Sequence, residues 1–442
     1  MKLPEYILFC MDILEKAGFA AYAVGGCVRD ALLGLEPHDY DLCTDAAPEQ
    51  IRHLFREYPL VLSGEKHGTV SVVMDRELVE ITTFRTEGAY LDNRHPQWVR
   101  FVGRVEEDLA RRDFTVNAMA FSPTRGFADP FGGREDLKNK VLRAVGEPEK
   151  RFQEDSLRIL RGVRFAVRYG LTPEQHTLDA MFRLTPLMDN LARERVFDEL
   201  CKLLSVVKAE DLLRFAPVIL QAIPELRDCF GFDQCSPHHA YDVYTHTAYV
   251  VENVPPVLHL RWAALLHDLG KPVVFYRDES GRGHFPDHGP RGAELAAQVM
   301  RRLRASNELR SRVVALVERH MVLPETDPKI LRRRMSKYGA DFMEDLLLLQ
   351  RADFAGKGVG EETDLFDRAK EGMDSIRRQQ ACLSIKDLAV NGRDLLDLGF
   401  KADRSVGRCL SHLLDLVLEE KCPNQRLSLL EAAQRFKREE SI

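Results

Sequence analysis

The sequence predicts an α+β protein in which a small mixed α/β head is followed by a mostly α-helical body. Up to about residue 145, short β-branched runs such as VSVVM and VEITTF alternate with Gly, Pro, Asp and Asn, which is typical of strands separated by turns. From about residue 149 the chain consists of stretches such as SLRILRGVRFAVRY. Their apolar residues recur at three- and four-residue spacing and therefore predict amphipathic helices.

The length of the chain predicts several domains, because 442 residues exceed what a single hydrophobic core supports. A Pro- and Cys-containing stretch at 223–237 and a Gly-, Asp- and Glu-rich stretch at 355–364 bracket a segment dense in His and Asp. We therefore expect four regions, namely a head at 1–145, a helical neck at 146–225, a separate helical domain at 226–360 and a C-terminal helical region at 361–442.

Composition and charge favour a soluble, cytoplasmic protein. Hydrophobic residues make up 45% and charged residues 30% of the chain, which is the balance of a globular protein. The nine cysteines contain no CxxC pair, which suits a reducing compartment, and no apolar run is long enough to predict a membrane span. The net charge of −6 means that any contact with RNA uses a local basic surface. We expect no membrane and no DNA partner.

A glycine pair after a small apolar run begins the first candidate site, in the segment AVGGCVRDALLGLEPHDYDLCTD. Gly25 and Gly26 would let backbone N–H groups approach a triphosphate that no residue with a Cβ would admit. Arg29 could pair with the charge of that triphosphate. Taken alone, a Gly-Gly pair is more typical of an ordinary turn.

Two aspartates follow the glycine pair. Asp39 and Asp41 stand at i and i+2, so on a strand they would point to the same face and could bind one or two Mg²⁺ ions for phosphoryl transfer. Glu80, on the next acidic strand, is a candidate third carboxylate. A solvated strand end is the more typical interpretation of the pair alone, but the order of glycines and aspartates favours a catalytic site.

A third pattern lies at the start of the helical part. In EDSLRILRGVRF, four charged residues recur every three positions and would form one stripe on a helix, namely Asp155, Arg158, Arg161 and Arg164. From spacing alone, such a stripe is more typical of a solvated face with salt bridges.

Seven motifs in chain order resemble those of the class II tRNA nucleotidyltransferase and bacterial poly(A) polymerase superfamily, over roughly residues 20–200. They are GGCVRD, HDYDL, EKHGTVSVV, VEITTFR, EEDLARRDFTVNAMA, DPFGG and EDSLRILRGVRFA. The resemblance implies that Asp39 and Asp41 bind the catalytic metal. It also implies a set of nucleotide-binding residues, in which Gly26 and Arg29 bind the triphosphate, Arg112 helps to hold the nucleotide, and Asp113 and Asn117 contact ribose or phosphate.

In this superfamily the motif EDSLRILRGVRF takes the place of a nucleic-acid template, so the resemblance implies a base-reading role for the charged stripe. Cytosine and adenine both present an amino donor beside a ring-nitrogen acceptor, which Asp155 and Arg158 can satisfy together. Uracil and guanine place a carbonyl oxygen there, which would face the carboxylate. Arg161 and Arg164 would then hold phosphates.

The predicted reaction is addition of CCA to the 3′ end of tRNA from CTP and ATP, with the acceptor arm of the tRNA as partner. The segment RTEGAYLDNRHPQWVRF resembles the flexible loop of full CCA-adding enzymes, although Asn93 and His95 depart from the DGRRP pattern. An enzyme that adds only the final A therefore remains an alternative. A poly(A) polymerase is a second alternative, but the basic signature and arginine-rich tail of that class are not obvious here.

A second group of motifs resembles the HD superfamily of metal-dependent phosphohydrolases. Residues 236–353 contain SPHHAYDVYTHT, AALLHDLGKP, GHFPDHGPRGAELA, ERHM and LQRADFAG in that order. The resemblance implies metal ligands His246, His267, Asp268 and Asp353, with His288 and His320 as candidate ligands of a second metal and Lys271 facing phosphate. This nitrogen and oxygen set suits a divalent metal, whose identity the sequence leaves open.

The HD resemblance implies a phosphatase or 2′,3′-cyclic phosphodiesterase acting on a damaged tRNA end. A competing hypothesis is an RNA-binding or regulatory protein whose catalytic motifs are relics and whose HD domain is only a scaffold. The unbroken aspartate, arginine and histidine sets argue against it.

Overall fold

The computed structural model describes residues 1–88, 98–359, 364–379 and 381–440. The chain divides into two compact units, one formed by Met1–Pro224 with Arg302–Ala305 and the other by Glu225–Arg301 with Ser306–Ile442. Each unit is described by itself. Within the described residues, no helix has both the length and the apolar character that a bilayer crossing requires.

The head of the first unit contains a seven-stranded mixed sheet. Its strands are β1 (Ala21–Val24), β2 (Asp41–Thr44), β3 (Leu60–Val61), β4 (Thr69–Met74), β5 (Glu77–Thr83), β8 (Ala120–Ser122) and β9 (Gly126–Ala128). They lie in the order β3-β4-β5-β2-β1-β8-β9. Strands β2 and β5 are parallel neighbours, whereas the other pairs are antiparallel. The longest strands are the β-branched runs TVSVVM and ELVEITT, whose side chains fit a pleated, half-buried surface.

The α-helices in the described part of the head are α1 (Glu5–Lys16), α2 (Gly26–Leu32), α3 (Pro48–Leu54), α4 (Val105–Ala110) and α5 (Gly133–Lys138). Helix α1 buries one apolar stripe, Ile7, Cys10, Met11 and Leu14, at the spacing that an amphipathic helix requires. A further two-stranded hairpin consists of β6 (Arg85–Glu87) and β7 (Val99–Phe101). The centre of the segment predicted as a flexible loop, with Asn93 and His95, lies outside the described residues.

The neck contains the helices α6 (Pro148–Glu154), α7 (Leu157–Tyr169), α8 (Gln175–Arg183), α9 (Arg193–Leu204), α10 (Ala209–Arg214) and α11 (Ala216–Ala222). Its strands are reduced to one short parallel pair, β10 (Val141–Leu142) with β11 (Thr172–Pro173). Gly170 ends α7 in the left-handed conformation, which a residue without a Cβ adopts at little cost.

The second unit is almost entirely helical. Its first part contains α12 (Val243–Asn253), α13 (Leu258–Leu266), α14 (Lys271–Val274), α15 (His288–Arg302), α16 (Asn307–Arg319), α17 (Pro328–Tyr338) and α18 (Ala340–Ala355). A short hairpin of β12 (Tyr276–Arg277) and β13 (Gly283–His284) separates α14 from α15.

The C-terminal part of the second unit contains α19 (Asp364–Arg378), α20 (Gly392–Asp397), α21 (Arg404–Leu418) and α22 (Arg426–Glu439). Apolar residues of the last three helices, including Leu395, Leu413 and Leu429, form a core of their own. The predicted fold class, a mixed α/β head followed by a helical body, is confirmed.

Candidate active sites

A cavity of about 530 Å³ lies within the first unit, where head and neck residues face each other. Except for Glu80, every residue predicted for the nucleotidyltransferase site lines it. The lining residues are Gly25, Gly26, Cys27, Arg29, Asp30, His38, Asp39, Asp41, Arg111, Arg112, Asp113, Asn117, Asp155, Arg158, Arg161, Arg164, Phe165, Arg168 and Tyr169.

Three carboxylates meet at one end of the sheet. Asp41 is the first residue of β2, and the parallel register places it beside Glu80 of β5. Asp39 lies two residues earlier in the chain and precedes the strand, so the prediction that both aspartates lie on a strand is wrong for Asp39. Both nevertheless line the same cavity, because the chain enters β2 from that side.

The surroundings of Asp41 make its negative charge costly. The walls of the cavity displace water from the carboxyl group, and the charge of Glu80 adds to this effect, so that the pKa of Asp41 rises to about 6. Arg112 acts in the opposite direction. A divalent cation bound between Asp41 and the neighbouring carboxylates would offset their mutual repulsion, so this is a favourable place for such an ion.

The turn between β1 and α2 depends on glycine. Gly25 has a φ of 78°, in the region that side chains rarely adopt. A Cβ at this position would lie 2.8 Å from Nη1 of Arg112. The missing side chain therefore lets the Arg112 guanidinium lie directly over the turn, at the edge of the cavity.

Arg29 is buried and its donors are largely engaged by protein groups. Its Nε donates to Asp30 (2.8 Å), its Nη1 to the Asn117 side-chain oxygen and its Nη2 to the Tyr169 hydroxyl (2.6 Å). The guanidinium also stacks on the Tyr169 ring at 4.2 Å. In this arrangement Arg29 orders the wall of the cavity, and its contact with a triphosphate stays a prediction.

The chain of hydrogen bonds continues from Asn117 to the neck. Asn117 donates to Oδ1 of Asp113 (3.0 Å), and Arg161 donates twice to Oδ2 of Asp113 (2.9 and 2.7 Å). Burial by itself would raise the pKa of Asp113. The Arg161 charge and these hydrogen bonds instead lower this pKa to about 2. Asp113 is therefore ionised at neutral pH and links the head to α7.

Asp155 and Arg158 lie close to the same cavity but on different structural elements. Helix α7 begins at Leu157, so Asp155 precedes it in an extended conformation, and the prediction of a single helical stripe is wrong for this residue. Asp155 accepts two hydrogen bonds from Arg195 (3.2 and 2.8 Å). Arg158 donates to Glu154 (2.8 Å) and to the Arg111 carbonyl (2.9 Å).

The arginines of α7 do not form a solvated face. Arg158 and Arg164 are 9% and 7% exposed, and the Nε of Arg164 donates to Glu199 at 2.5 Å. Because Arg161 and Arg164 are paired with carboxylates, their predicted phosphate contacts stay a prediction. The sequence did not predict the roles of Arg195 and Glu199. Their four-residue spacing in RERVFDEL is the local pattern that points to a shared helix face.

We expect Glu199→Gln to lower the free energy of unfolding of this unit by about 3–5 kcal/mol, because it leaves the buried Arg164 without a counter-charge. Urea unfolding measures the effect. Glu194→Gln, an exposed neighbour on the same helix, is the matched control and should change little. Equal unfolding midpoints for the two variants would contradict this account of the neck.

A second site lies among the helices of the second unit. His267 and Asp268 follow α13, His246 lies on α12 and Asp353 on α18. Nε2 of His246 lies 3.0 Å from Asp353 and 3.3 Å from Nε2 of His267, and the latter lies 3.1 Å from Asp268. The four predicted core residues are therefore brought together, and all are buried.

His288 and His320 complete the cluster on the other side of Asp268. Their Nε2 atoms are 3.2 Å apart and lie 3.6 and 3.8 Å from Oδ1 of Asp268. Two groups of three side chains in this cluster thus have the spacing to hold a metal ion, and both include Asp268. A third group among the described residues, Glu147, Glu149 and His176, lies in the neck.

The histidines are oriented as metal ligands would be. Nδ1 of His267, His288 and His320 lies within 2.8 Å of the carbonyls of Ala264, Phe285 and Val317 respectively. Such bonds fix the tautomer and leave Nε2 free to coordinate. The residues therefore fit a divalent metal centre whose ion is unidentified.

Lys271 and Asp268 form a buried pair in this cluster, with Nζ 2.7 Å from Oδ2. Burial by itself would raise the pKa of Asp268, but the charges of His267 and Lys271 hold it well below its usual range. The carboxylate is therefore ionised and able to act as a ligand.

Three family profiles match the chain in order along its length. The Poly A polymerase head domain matches residues 21–143, the probable RNA and SrmB-binding site of polymerase A matches 170–227, and the HD domain matches 238–354. The first covers the head residues that line the cavity of the first unit, whereas the lining residues 155–169 fall between the first two matches. The third covers the histidine and aspartate cluster.

Two relatives of this chain are both named CCA-adding enzyme. The CCA-adding enzyme of Streptococcus gordonii is 32% identical over 438 residues, which are 96% of each chain. The CCA-adding enzyme of Streptococcus pneumoniae is 48% identical over 206 residues, or 46% of this chain and 51% of that protein.

The solved structures agree with the sequence comparison. The Bacillus stearothermophilus CCA-adding enzyme in complex with CTP has a TM-score of 0.71 and 27% identity, with all of both chains covered. The Thermotoga maritima CCA-adding enzyme complexed with tRNA shares the fold, with a TM-score of 0.57 and 22% identity over 97% of this chain and 94% of that chain. Because a relative of the same length is 32% identical across nearly the whole chain, this protein belongs to the family of CCA-adding enzymes.

Proposed function

We propose that this chain adds C, C and A to the 3′ end of tRNA from CTP and ATP without a nucleic-acid template. The observation that carries the proposal is one cavity in which metal-binding carboxylates of the head meet Asp155 and Arg158 of the neck. Family membership supports it, as does a similar solved enzyme in complex with CTP. We infer the tRNA acceptor arm and ATP as the remaining partners and the cytoplasm as the location.

The carboxylates supply the site of phosphoryl transfer. Asp39, Asp41 and Glu80 would hold Mg²⁺, which when bound acidifies the attacking 3′-hydroxyl and neutralises charge on the leaving pyrophosphate. Arg112 lies over the glycine turn and offers a positive charge to the triphosphate. Gly25 and Gly26 would leave room for the phosphates, while the hydrogen bond between Arg29 and Asn117 orders the cavity wall beside them.

The neck supplies base selection. Asp155 would accept from the amino group of cytosine or adenine, and Arg158 would donate to the adjacent ring nitrogen. Arg195 forms an ion pair with Asp155, and Glu154 forms one with Arg158. These contacts keep the Asp155 and Arg158 side chains in a fixed geometry. Uracil and guanine would turn a carbonyl oxygen toward the Asp155 carboxylate, and that unpaired contact disfavours them.

We expect Asp155→Ala to relax base selection. The ratio of kcat/KM for CTP to that for UTP should fall by about 10²-fold or more, because the group that discriminates amino from carbonyl is removed. Single-nucleotide incorporation with all four nucleotides measures it.

Asp179→Ala, which removes an exposed carboxylate from α8, is the matched control for base selection and should keep the normal ratio. A preference for C and A that survives in Asp155→Ala would rule out this residue as a reader of the base.

The extent of addition separates CCA synthesis from the two alternatives. Purified protein with Mg²⁺ is given tRNA transcripts that end before CCA, after C and after CC, with CTP, ATP or both. Three additions followed by a stop support the proposal. A single A added only to the CC-ended transcript would identify an A-adding enzyme, and a long A tail on any RNA would identify a poly(A) polymerase.

We also propose that the second site is a metal-dependent phosphohydrolase, either a phosphatase or a 2′,3′-cyclic phosphodiesterase for a damaged tRNA end. The specific observation is that two metal-binding groups share Asp268, with Lys271 beside it. The core ligands would be His246, His267, Asp268 and Asp353, with His288 and His320 holding a second ion. Hydrolysis of 2′,3′-cyclic AMP and p-nitrophenyl phosphate with several divalent metals tests this proposal.

A further inference from the structure

We propose that His239 and Lys357, together with Lys271, form a phosphate-binding subsite beside the metal-binding cluster of the second unit. This inference rests on the proposed phosphohydrolase function and goes beyond its metal ligands. The subsite would take the phosphoryl oxygens of a phosphoester.

His239 lies against the metal-binding cluster without being part of either metal-binding group. Its ring packs edge-on against His246, with the centroids 5.3 Å apart. Its Nδ1 is buried and has no hydrogen-bond partner among the described residues. Buried polar atoms in proteins are almost always satisfied, so an unpaired nitrogen at this position indicates that a ligand supplies the partner.

Two lysines give this region a positive charge. The Nζ of Lys271 is buried, where Gln234 accepts from it at 2.8 Å, and it lies 2.7 Å from Asp268. The backbone of Lys357 is hydrogen-bonded to that of Ala240, the residue after His239. Burial lowers the pKa of His239, and the charges of Lys271 and Lys357 lower it further. Two cations in the region of an imidazole with an unpaired nitrogen match the several acceptor oxygens of a phosphate group.

The backbone that carries Lys357 is fixed against the cluster by glycines. A Cβ at Gly356 would lie 3.3 Å from Nδ1 of His246 and 2.7 Å from the Val250 side chain. Gly358 has a φ of +70°, and a Cβ at this position would lie 2.6 Å from the Tyr241 ring.

The carbonyl of Lys357 accepts from the Ala240 amide at 2.9 Å. The segments of His239 and Lys357 are therefore joined directly, and the glycines on either side of Lys357 keep its backbone close to the metal ligands. A loop that merely crossed the surface would not need this close approach.

A role as a further metal ligand is the main alternative for His239. Five other side chains supply two groups whose ligand atoms lie within 4.8 Å of one another, and His239 belongs to neither. Its edge-on contact with the His246 ring suits contact with an oxygen of the substrate rather than with the ion.

The test separates binding of metal from binding of phosphate. The full chain is loaded in turn with Mn²⁺, Co²⁺ or Ni²⁺, its metal content is determined, and the affinity for inorganic phosphate is measured by calorimetry. We expect His239→Ala and Lys357→Ala each to weaken phosphate binding by about tenfold or more, since each removes a hydrogen bond to a charged group. Metal content should be unchanged.

His238→Ala is the matched control, because it removes the adjacent, exposed imidazole. An unchanged phosphate affinity in His239→Ala, a loss of metal in that variant, or no phosphate binding by the wild-type protein with any of the three metals would overturn the proposal. Phosphate binding that depends on His239 without hydrolysis of any phosphoester would support the subsite while rejecting the phosphohydrolase function.

Discussion

Nucleotide addition is expected to fall by roughly 10³-fold or more in Asp41→Asn, because the substitution removes one charge from the carboxylate cluster that we propose as the Mg²⁺ site. Asp41 is the central member of that cluster, since it lies beside Glu80 in the sheet and two residues after Asp39. Incorporation of a single C into a tRNA transcript, measured under single-turnover conditions, gives the rate. Hydrolysis at the second site should be unaffected.

The raised pKa of Asp41 gives this prediction a pH signature. Because the pKa of Asp41 in the folded protein, about 6, lies above the ordinary value of 3.8, the charged carboxyl opposes folding at neutral pH, and this penalty disappears below about pH 4. In the absence of Mg²⁺, Asp41→Asn should therefore be at least as stable as the wild type at pH 7. At subsaturating Mg²⁺, wild-type addition should decline as the pH falls through about 6, and more Mg²⁺ should restore it.

Asp12→Asn is the control for this variant, since Asp12 is exposed on α1 and pairs with Lys16. If Asp41→Asn were folded and added nucleotides at the normal rate, the assignment of the catalytic carboxylates would be wrong.

The second large effect is expected for Asp268→Asn. Asp268 contributes to both metal-binding groups, so its loss should remove bound metal and reduce phosphoester hydrolysis by roughly 10³-fold or more. Addition of CCA should continue, because the carboxylates of that reaction lie in the other unit. Metal content and hydrolysis of 2′,3′-cyclic AMP are the two measurements.

Asp341→Asn serves as the control, because Asp341 is an exposed residue of α18. Full hydrolysis by a metal-free Asp268→Asn protein would contradict the proposed centre. Loss of addition together with hydrolysis would indicate that the substitution disturbs more than the second site.

The sequence predicts the residues that face the cavity better than it predicts how they are held. Asp39 and Asp41 are recognisable because two acidic residues follow a glycine turn at short distance. Glu80 is 39 residues beyond Asp41, and only the parallel pairing of β2 and β5 brings the two together. Which strand becomes the parallel neighbour of β2 depends on how the whole sheet is arranged. Spacing along the chain could therefore offer Glu80 only as a candidate.

The neck illustrates the same limit. The three-residue spacing of Asp155 and the arginines indicated a common face, but it did not show that α7 begins after Asp155. Arg195 and Glu199 lie on α9, and α8 separates this helix from α7 along the chain. They could not be predicted from the sequence, because their role depends on how α9 packs against α7. Their charges are ordinary for a helix surface until that packing is known.

The histidines of the second unit were largely recognised through resemblance to a family. Their separation along the chain, from His246 to Asp353, carries no geometric information by itself. His239 stands in a pair with His238, and sequence cannot distinguish a half-buried imidazole from an exposed neighbour. Burial and the unpaired nitrogen distinguish them in the structure.

The pairing of the neck arginines with carboxylates has a consequence for how the enzyme responds to salt. Arg158 and Arg164 are neutralised by Glu154 and Glu199 within the protein, and buried pairs are screened little by dissolved ions. Contacts with the phosphates of an RNA chain weaken steeply as the ionic strength rises. In the mechanism that we propose, base selection and RNA binding therefore depend on separate charges, so a rise in ionic strength that weakens RNA binding should leave the choice of nucleotide unchanged.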